Sequence, residues 1–91
     1  MVRCEMKILR ESKREIEFEL EGETHTFYNL LKEYLLLDPN VEISAYKIEH
    51  PLEGTMRMYV KVKRGEVRRS IKRALERIIE DLTEIERQLQ G

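Results

Sequence analysis

The chain has 91 residues, with 17 basic and 18 acidic side chains and a formal net charge of −1. This length suits one domain, so we expect residues 1–91 to form a single unit. Its single cysteine, Cys4, excludes an internal disulfide. No segment approaches the ~18 apolar residues of a membrane span, and the N-terminus has no apolar run typical of a signal peptide. We therefore expect a soluble, cytoplasmic protein.

The first third of the chain predicts a hairpin followed by a helix. Residues 3–10 form a short predicted strand, and residues 11–14 suit a turn. Residues 15–21 alternate strictly between apolar residues and glutamates, which predicts a strand with one buried and one wet face. Thr24 or Thr26 is a candidate N-cap for the helix that follows. This helix ends at Asp38-Pro39, because proline disfavours helical geometry in the preceding residue.

Residues 41–48 predict a third strand with a change of phase. Val41, Ile43 and Ala45 share one face, whereas Tyr46 and Ile48 fall on the other. A bulge near Ala45 would produce this shift; alternatively, both faces are covered.

The remaining segments complete an α+β pattern. In residues 56–63, methionine and valine alternate with basic residues and tyrosine, which predicts a fourth strand. Gly65 precedes a long predicted helix over residues 66–90. The order β-β-α-β-β-α predicts two layers: a four-stranded antiparallel sheet with both helices on one face, the C-terminal helix being the longer.

The last predicted helix carries an unbroken heptad seam. At ~1.5 Å per residue this helix extends roughly 37 Å, which exceeds the width of a small domain. The first turns can cover the sheet, but the distal apolar residues overhang it and require another protein chain. The seam residues follow one another at spacings of four and three: Ile71, Leu75, Ile78, Leu82, Ile85 and Leu89.

Charge is distributed unevenly along the chain. Residues 57–73 contain eight bases and one acid, a local charge of +7, and the remainder carries nine bases and seventeen acids, or −8. The early turns of the last helix are basic and the later turns acidic, which opposes the helix dipole. Such a violation of a local preference often marks a functional surface. The alternative is a solvated surface on which charges one turn apart pair with each other.

Two other classes of function find less support in the sequence. An enzyme is disfavoured because no nucleophile–base signature, phosphate-binding loop or distinct carboxylate pair is present. Cys4, His25 and His50 fit no standard zinc spacing, so we predict no metal or cofactor. A nucleic-acid-binding domain is the main rival, but the pI of about 6.2 disfavours it. Its candidate phosphate contacts, which lie beside Tyr59, are Lys61, Lys63, Arg64, Arg68, Arg69, Lys72 and Arg73.

Two segments resemble archaeal DNA-directed RNA polymerase subunit L. Residues 22–31 read Gly-Glu-Thr-His-Thr-Phe-Tyr-Asn-Leu-Leu, and residues 45–52 read Ala-Tyr-Lys-Ile-Glu-His-Pro-Leu. The resemblance covers roughly residues 4–90. It extends more distantly to the eleventh subunit of eukaryotic RNA polymerase II and to the dimerisation domain of the bacterial alpha subunit. Tyr28 departs from the pattern, because many relatives have a small residue there.

This resemblance implies a non-catalytic assembly role. It implies that the chain pairs through both helices with a larger alpha-like chain, the D subunit of the polymerase. The heterodimer would serve as the platform for the large catalytic subunits in DNA-templated transcription, with DNA bound only by the assembled complex. The expected interface residues lie on the two helices: Phe27, Leu30, Leu31, Tyr34, Ile78, Leu82, Ile85 and Leu89.

Overall fold

The computed structural model describes residues 5–21, 25–50 and 55–90. These residues form four strands and two helices, which confirms the predicted order and the α+β fold class. The elements are β1 (Glu5–Glu11), β2 (Glu15–Glu21), α1 (His25–Leu36), β3 (Val41–His50), β4 (Thr55–Val62) and α2 (Val67–Gln90).

The sheet has the order β1-β2-β4-β3, and all its neighbouring strands are antiparallel. In β2 and β4, apolar and polar residues alternate, so the apolar side chains lie on one face of the sheet and the polar side chains on the other. On the helix-bearing face, Phe18, Met58 and Val60 are buried in the core. On the other face, the Tyr59 hydroxyl donates to a Glu15 carboxylate oxygen at 2.7 Å. One face of the sheet therefore carries the core, and the other is held by polar contacts between strands.

The phase shift in β3 lies earlier than the sequence predicted. Val41 is buried and Ser44 is also buried, whereas Ile43 is 41% exposed. The register with β4 shifts between Val41 and Ile43, so the irregularity falls at Glu42 and the prediction of a bulge near Ala45 was wrong. After this extra residue, Ser44 and Tyr46 pair with Val60 and Met58 and so share their face.

Tyr28 fixes α1 to the central strands. Its side chain is only 1% exposed, and its hydroxyl oxygen accepts a hydrogen bond from the Leu20 amide at 2.7 Å. The same hydroxyl lies 3.1 Å from the Leu20 carbonyl and 3.2 Å from the Met56 carbonyl, to either of which it can donate. The pairing of β2 with β4 stops at Phe18 and Met58, so the phenol bridges the two strands just beyond their last paired residues.

The first helix begins one residue before Thr26. Since α1 starts at His25, Thr26 lies inside the first turn and is not the N-cap. The alternative candidate, Thr24, lies outside the described residues.

The start of α2 is held against the turn between β1 and β2. Gly65 has a φ of 73°, a left-handed conformation that suits the reversal before the helix. The Val67 amide then donates to the Lys13 carbonyl at 2.9 Å, and the Val62 amide donates to the Arg14 carbonyl at 2.8 Å. These bonds tie both ends of the connection between β4 and α2 to the turn between β1 and β2. Among the described residues, no helix is long and apolar enough to cross a membrane.

Candidate partner interface

Helix α2 consists of two segments with different surroundings. The proximal segment, residues 67–78, buries Val67, Ser70, Ile71, Ala74 and Ile78 against the rest of the chain. The distal segment, residues 79–90, is exposed at every position. At ~1.5 Å per residue, about 18 Å of helix thus projects without support from its own sheet. The position of the transition agrees with the expected overhang.

The heptad seam continues across this transition into solvent. Leu82 is 57% exposed, Ile85 54% and Leu89 83%, and the neighbouring Ile79 is 63% exposed. A run of large apolar side chains along one exposed helix face is unusual in a monomeric soluble protein. It is typical of a surface that another protein covers.

The predicted interface residues on α1 divide into two groups. Phe27, Leu30 and Tyr34 are partly buried and pack at the margin of the core, so part of each side chain is accessible. Leu31 is only 2% exposed, and on α2 Ile78 is only 6% exposed. The structure therefore places Leu31 and Ile78 in the chain's own core, and they are not available as direct contacts in this conformation.

A hydrogen bond joins α1 to the distal segment. The Tyr34 hydroxyl donates to the Asp81 Oδ2 atom at 2.5 Å. The bond raises the pKa of Tyr34, because the carboxylate accepts from the protonated phenol; partial burial and the carboxylate's charge act in the same direction. Sequence patterns carried no signal for this contact, since the two residues lie 47 positions apart.

Two bases of the proximal segment form ion pairs with acids in other parts of the chain. Arg68 forms a bidentate contact with Glu11 on β1. Arg73 lies 3.2 Å from Asp38, just beyond the end of α1. Burial alone would raise the pKa of Asp38, but the amide of Asn40 and the Arg73 guanidinium outweigh it, so the pKa is lowered. These contacts fasten the proximal segment to the domain.

Several bases of the basic segment, residues 57–73, also form ion pairs with acidic side chains of the chain. Arg57 lies 3.4 Å from both Glu17 and Glu19, and Lys61 lies 3.9 Å from Glu42. Arg69 pairs with Glu66 at 3.6 Å. With Arg68 and Arg73 also paired, these bases are partly neutralised, which weakens the case for a phosphate-binding surface.

No group of three or more metal-ligating side chains occurs within residues 5–21, 25–50 and 55–90. Cys4 and the side chains of His25 and His50, the only cysteine and histidines of the sequence, lie outside the described part of the chain.

The fold and the sequence both match proteins of known family. Residues 15–88 match the RNA polymerase Rpb3/Rpb11 dimerisation domain family, and the chain therefore belongs to it. The chain is 39% identical over 82 residues to DNA-directed RNA polymerase subunit Rpo11 of Pyrobaculum aerophilum, covering 90% of this chain and 89% of that protein. It is 33% identical over 86 residues to subunit Rpo11 of Methanothermobacter thermautotrophicus, covering 94% and 99%.

A solved structure agrees with these sequence matches. The crystal structure of DNA-directed RNA polymerase subunit L from Thermoplasma acidophilum superimposes with a TM-score of 0.87 at 27% identity. The match covers 97% of this chain and 87% of that chain. Together with the archaeal relatives, it confirms the resemblance to archaeal subunit L. The chain is a DNA-directed RNA polymerase subunit of the Rpb3/Rpb11 dimerisation family.

Proposed function

We propose that this chain is a non-catalytic assembly subunit that pairs with the larger D subunit of the polymerase, hereafter the alpha-like partner. In this proposal residues 1–91 act as a single alpha-like dimerisation domain. The heterodimer is the platform on which the large catalytic subunits assemble, and the chain meets DNA only within the complete polymerase. The observation that carries the proposal is the apolar seam of the distal segment, which its own sheet leaves exposed.

The interface that we propose is centred on the distal seam. Leu82, Ile85 and Leu89 provide its exposed apolar surface. On α1, Phe27, Leu30 and Tyr34 extend the surface, and Leu31 and Ile78 support it from beneath. Complete burial of one leucine or isoleucine side chain contributes about 1.5–3 kcal/mol, so three seam residues provide a substantial driving force for association.

A pairing experiment tests this proposal. Leu82→Asp or Ile85→Asp in the full chain should lower the affinity for the purified alpha-like partner by about a thousandfold or more, because an unpaired carboxylate would be buried in the interface. Thr83→Asp is the matched control, since Thr83 is exposed on the same turn but lies off the seam. Size-exclusion chromatography with the alpha-like partner measures the pairing.

The outcomes distinguish an error in the position of the interface from an error in the proposed pairing. Loss of the complex for Leu82→Asp, with Thr83→Asp still bound, is the expected result. A complex that tolerates both Leu82→Asp and Ile85→Asp would place the interface elsewhere. Absence of any complex between the unmodified chain and the alpha-like partner would contradict the proposed function itself.

A further inference from the structure

The two segments of α2 carry opposite charge. The proximal segment has five bases and one acid, a charge of +4, and the distal segment has four acids and one base, a charge of −3. Two of the five proximal bases, Arg68 and Arg73, have acidic partners in the body of the domain. Of the four distal acids, Glu84 pairs with Arg87 on the same helix. Among the described residues no ion pair involves Glu80, Asp81 or Glu86, so their charge is available to a partner outside the chain.

Two of the distal acids flank the apolar seam. At 3.6 residues per turn, Glu86 follows Ile85 and lies one turn from Leu82 and Leu89. Asp81 lies on the opposite margin of the seam, one turn before Ile85. Glu80 faces away from the seam, on the far side of the helix. Asp81 and Glu86 therefore occupy the positions that in paired helices meet the charged side chains of the partner.

Neither flanking acid forms an ion pair among the described residues, although Arg77 lies one turn before Asp81 on α2. Asp81 accepts from the neutral Tyr34 hydroxyl, and Glu86 accepts from the Gln90 side-chain amide at 3.4 Å. By contrast, Glu84, which points away from the seam, pairs with Arg87 at 2.6 Å. Glu86 also lies close to the last turn of α2, where the helix dipole disfavours negative charge. A basic side chain from a partner would supply the missing ion pair and offset the unfavourable interaction with the helix dipole.

We propose that the partner surface that covers the distal seam is an apolar strip edged with lysine or arginine side chains, which pair with Asp81 and Glu86. This inference rests on the proposed function, because it requires another polymerase chain to cover the seam. A second copy of this chain is a poorer occupant, since two distal segments, each with a charge of −3, would face each other. The acidic margins thus select a basic partner and oppose self-pairing.

Charge reversal in the full chain tests this inference. Glu86→Lys should weaken binding to the purified alpha-like partner about fivefold at low salt, because one attraction becomes a repulsion. Glu80→Lys makes the same change in net charge on the far side of the helix and should leave the affinity within about twofold. Titration calorimetry at about 0.05 M and 0.5 M salt should show that salt weakens the unmodified complex, and that Glu86→Lys reduces this dependence.

The results separate the two proposals. If the alpha-like partner binds the unmodified chain and Glu86→Lys binds as tightly as Glu80→Lys, the basic-edged surface is excluded while the assembly role stands. A complex that tightens with salt would likewise exclude it. If the alpha-like partner does not bind the unmodified chain, the assembly role fails. Self-association of the unmodified chain on size-exclusion chromatography at low salt would overturn the argument against a second copy.

Discussion

The proximal and distal segments of α2 belong to one continuous helix with one continuous apolar stripe, yet they have different surroundings. Ile71, Ala74 and Ile78 are buried by the chain's own sheet and first helix, whereas Leu82, Ile85 and Leu89 remain exposed. Periodicity alone does not distinguish them. The difference arises from the length of the helix relative to the four-stranded sheet. It teaches that one apolar stripe can form core over its first turns and exposed surface over its last turns.

The largest expected difference between the segments concerns folding. Ile71→Asp should unfold the isolated chain, because burying an unpaired carboxylate costs several kcal/mol out of a total stability of about 5–15 kcal/mol. Leu82→Asp places the same group in solvent and should leave the fold intact. Circular dichroism melting of both variants provides the measurement. If Leu82→Asp melts as low as Ile71→Asp, the distal seam is internal core and the division of α2 is wrong.

A smaller effect concerns the ion pair that fastens the proximal segment. Asp38→Asn removes the charge that faces Arg73, and we expect a loss of at most about 1 kcal/mol, since the arginine is largely exposed and screened. The pKa of Asp38 is lowered in the folded chain. The pair therefore stabilises the fold above the ordinary pKa of 3.8, and this contribution is lost as the pH falls through the lowered value.

Thermal melting as a function of pH checks this second prediction. The unmodified chain should be more stable than Asp38→Asn at neutral pH, and the difference should disappear in strong acid. Equal stability of the two proteins at every pH would mean that Asp38 acts through the hydrogen bond that it accepts from the Asn40 amide, which an asparagine side chain at position 38 can still accept.

The smallest effect on overall stability is expected at the boundary between the segments. Tyr34→Phe removes the bond to Asp81 and should increase amide hydrogen exchange in residues 82–90 while leaving the proximal segment unchanged. Because the pKa of Tyr34 is raised, the bond persists below the ordinary pKa of 10 and is lost as the pH rises through the raised value. Equal amide hydrogen exchange in the unmodified chain and in Tyr34→Phe would show that the bond does not restrain the distal segment.

The sequence predicted the elements with strong periodicity and missed contacts set by tertiary structure. The alternation in residues 15–21 and the seam of α2 correspond to observed elements. In β3 the apolar Ile43 faces solvent and the polar Ser44 is buried, so the pattern placed the irregularity wrongly. Leu31 was expected at the interface because the resemblance implied pairing through both helices, and the spacing of the apolar residues in α1 does not show which of them meet the sheet. The choice of partner stays a prediction.

The exposed seam also shapes what happens to the chain before assembly. A newly made copy carries Leu82, Ile85 and Leu89 in contact with water, which is a liability for aggregation and a point of attack for quality-control proteases. Association removes this liability by mass action, since a partner that binds only the folded form stabilises it. Cellular abundance of the chain should therefore follow the supply of its partner, and copies made in excess should be the first to be degraded.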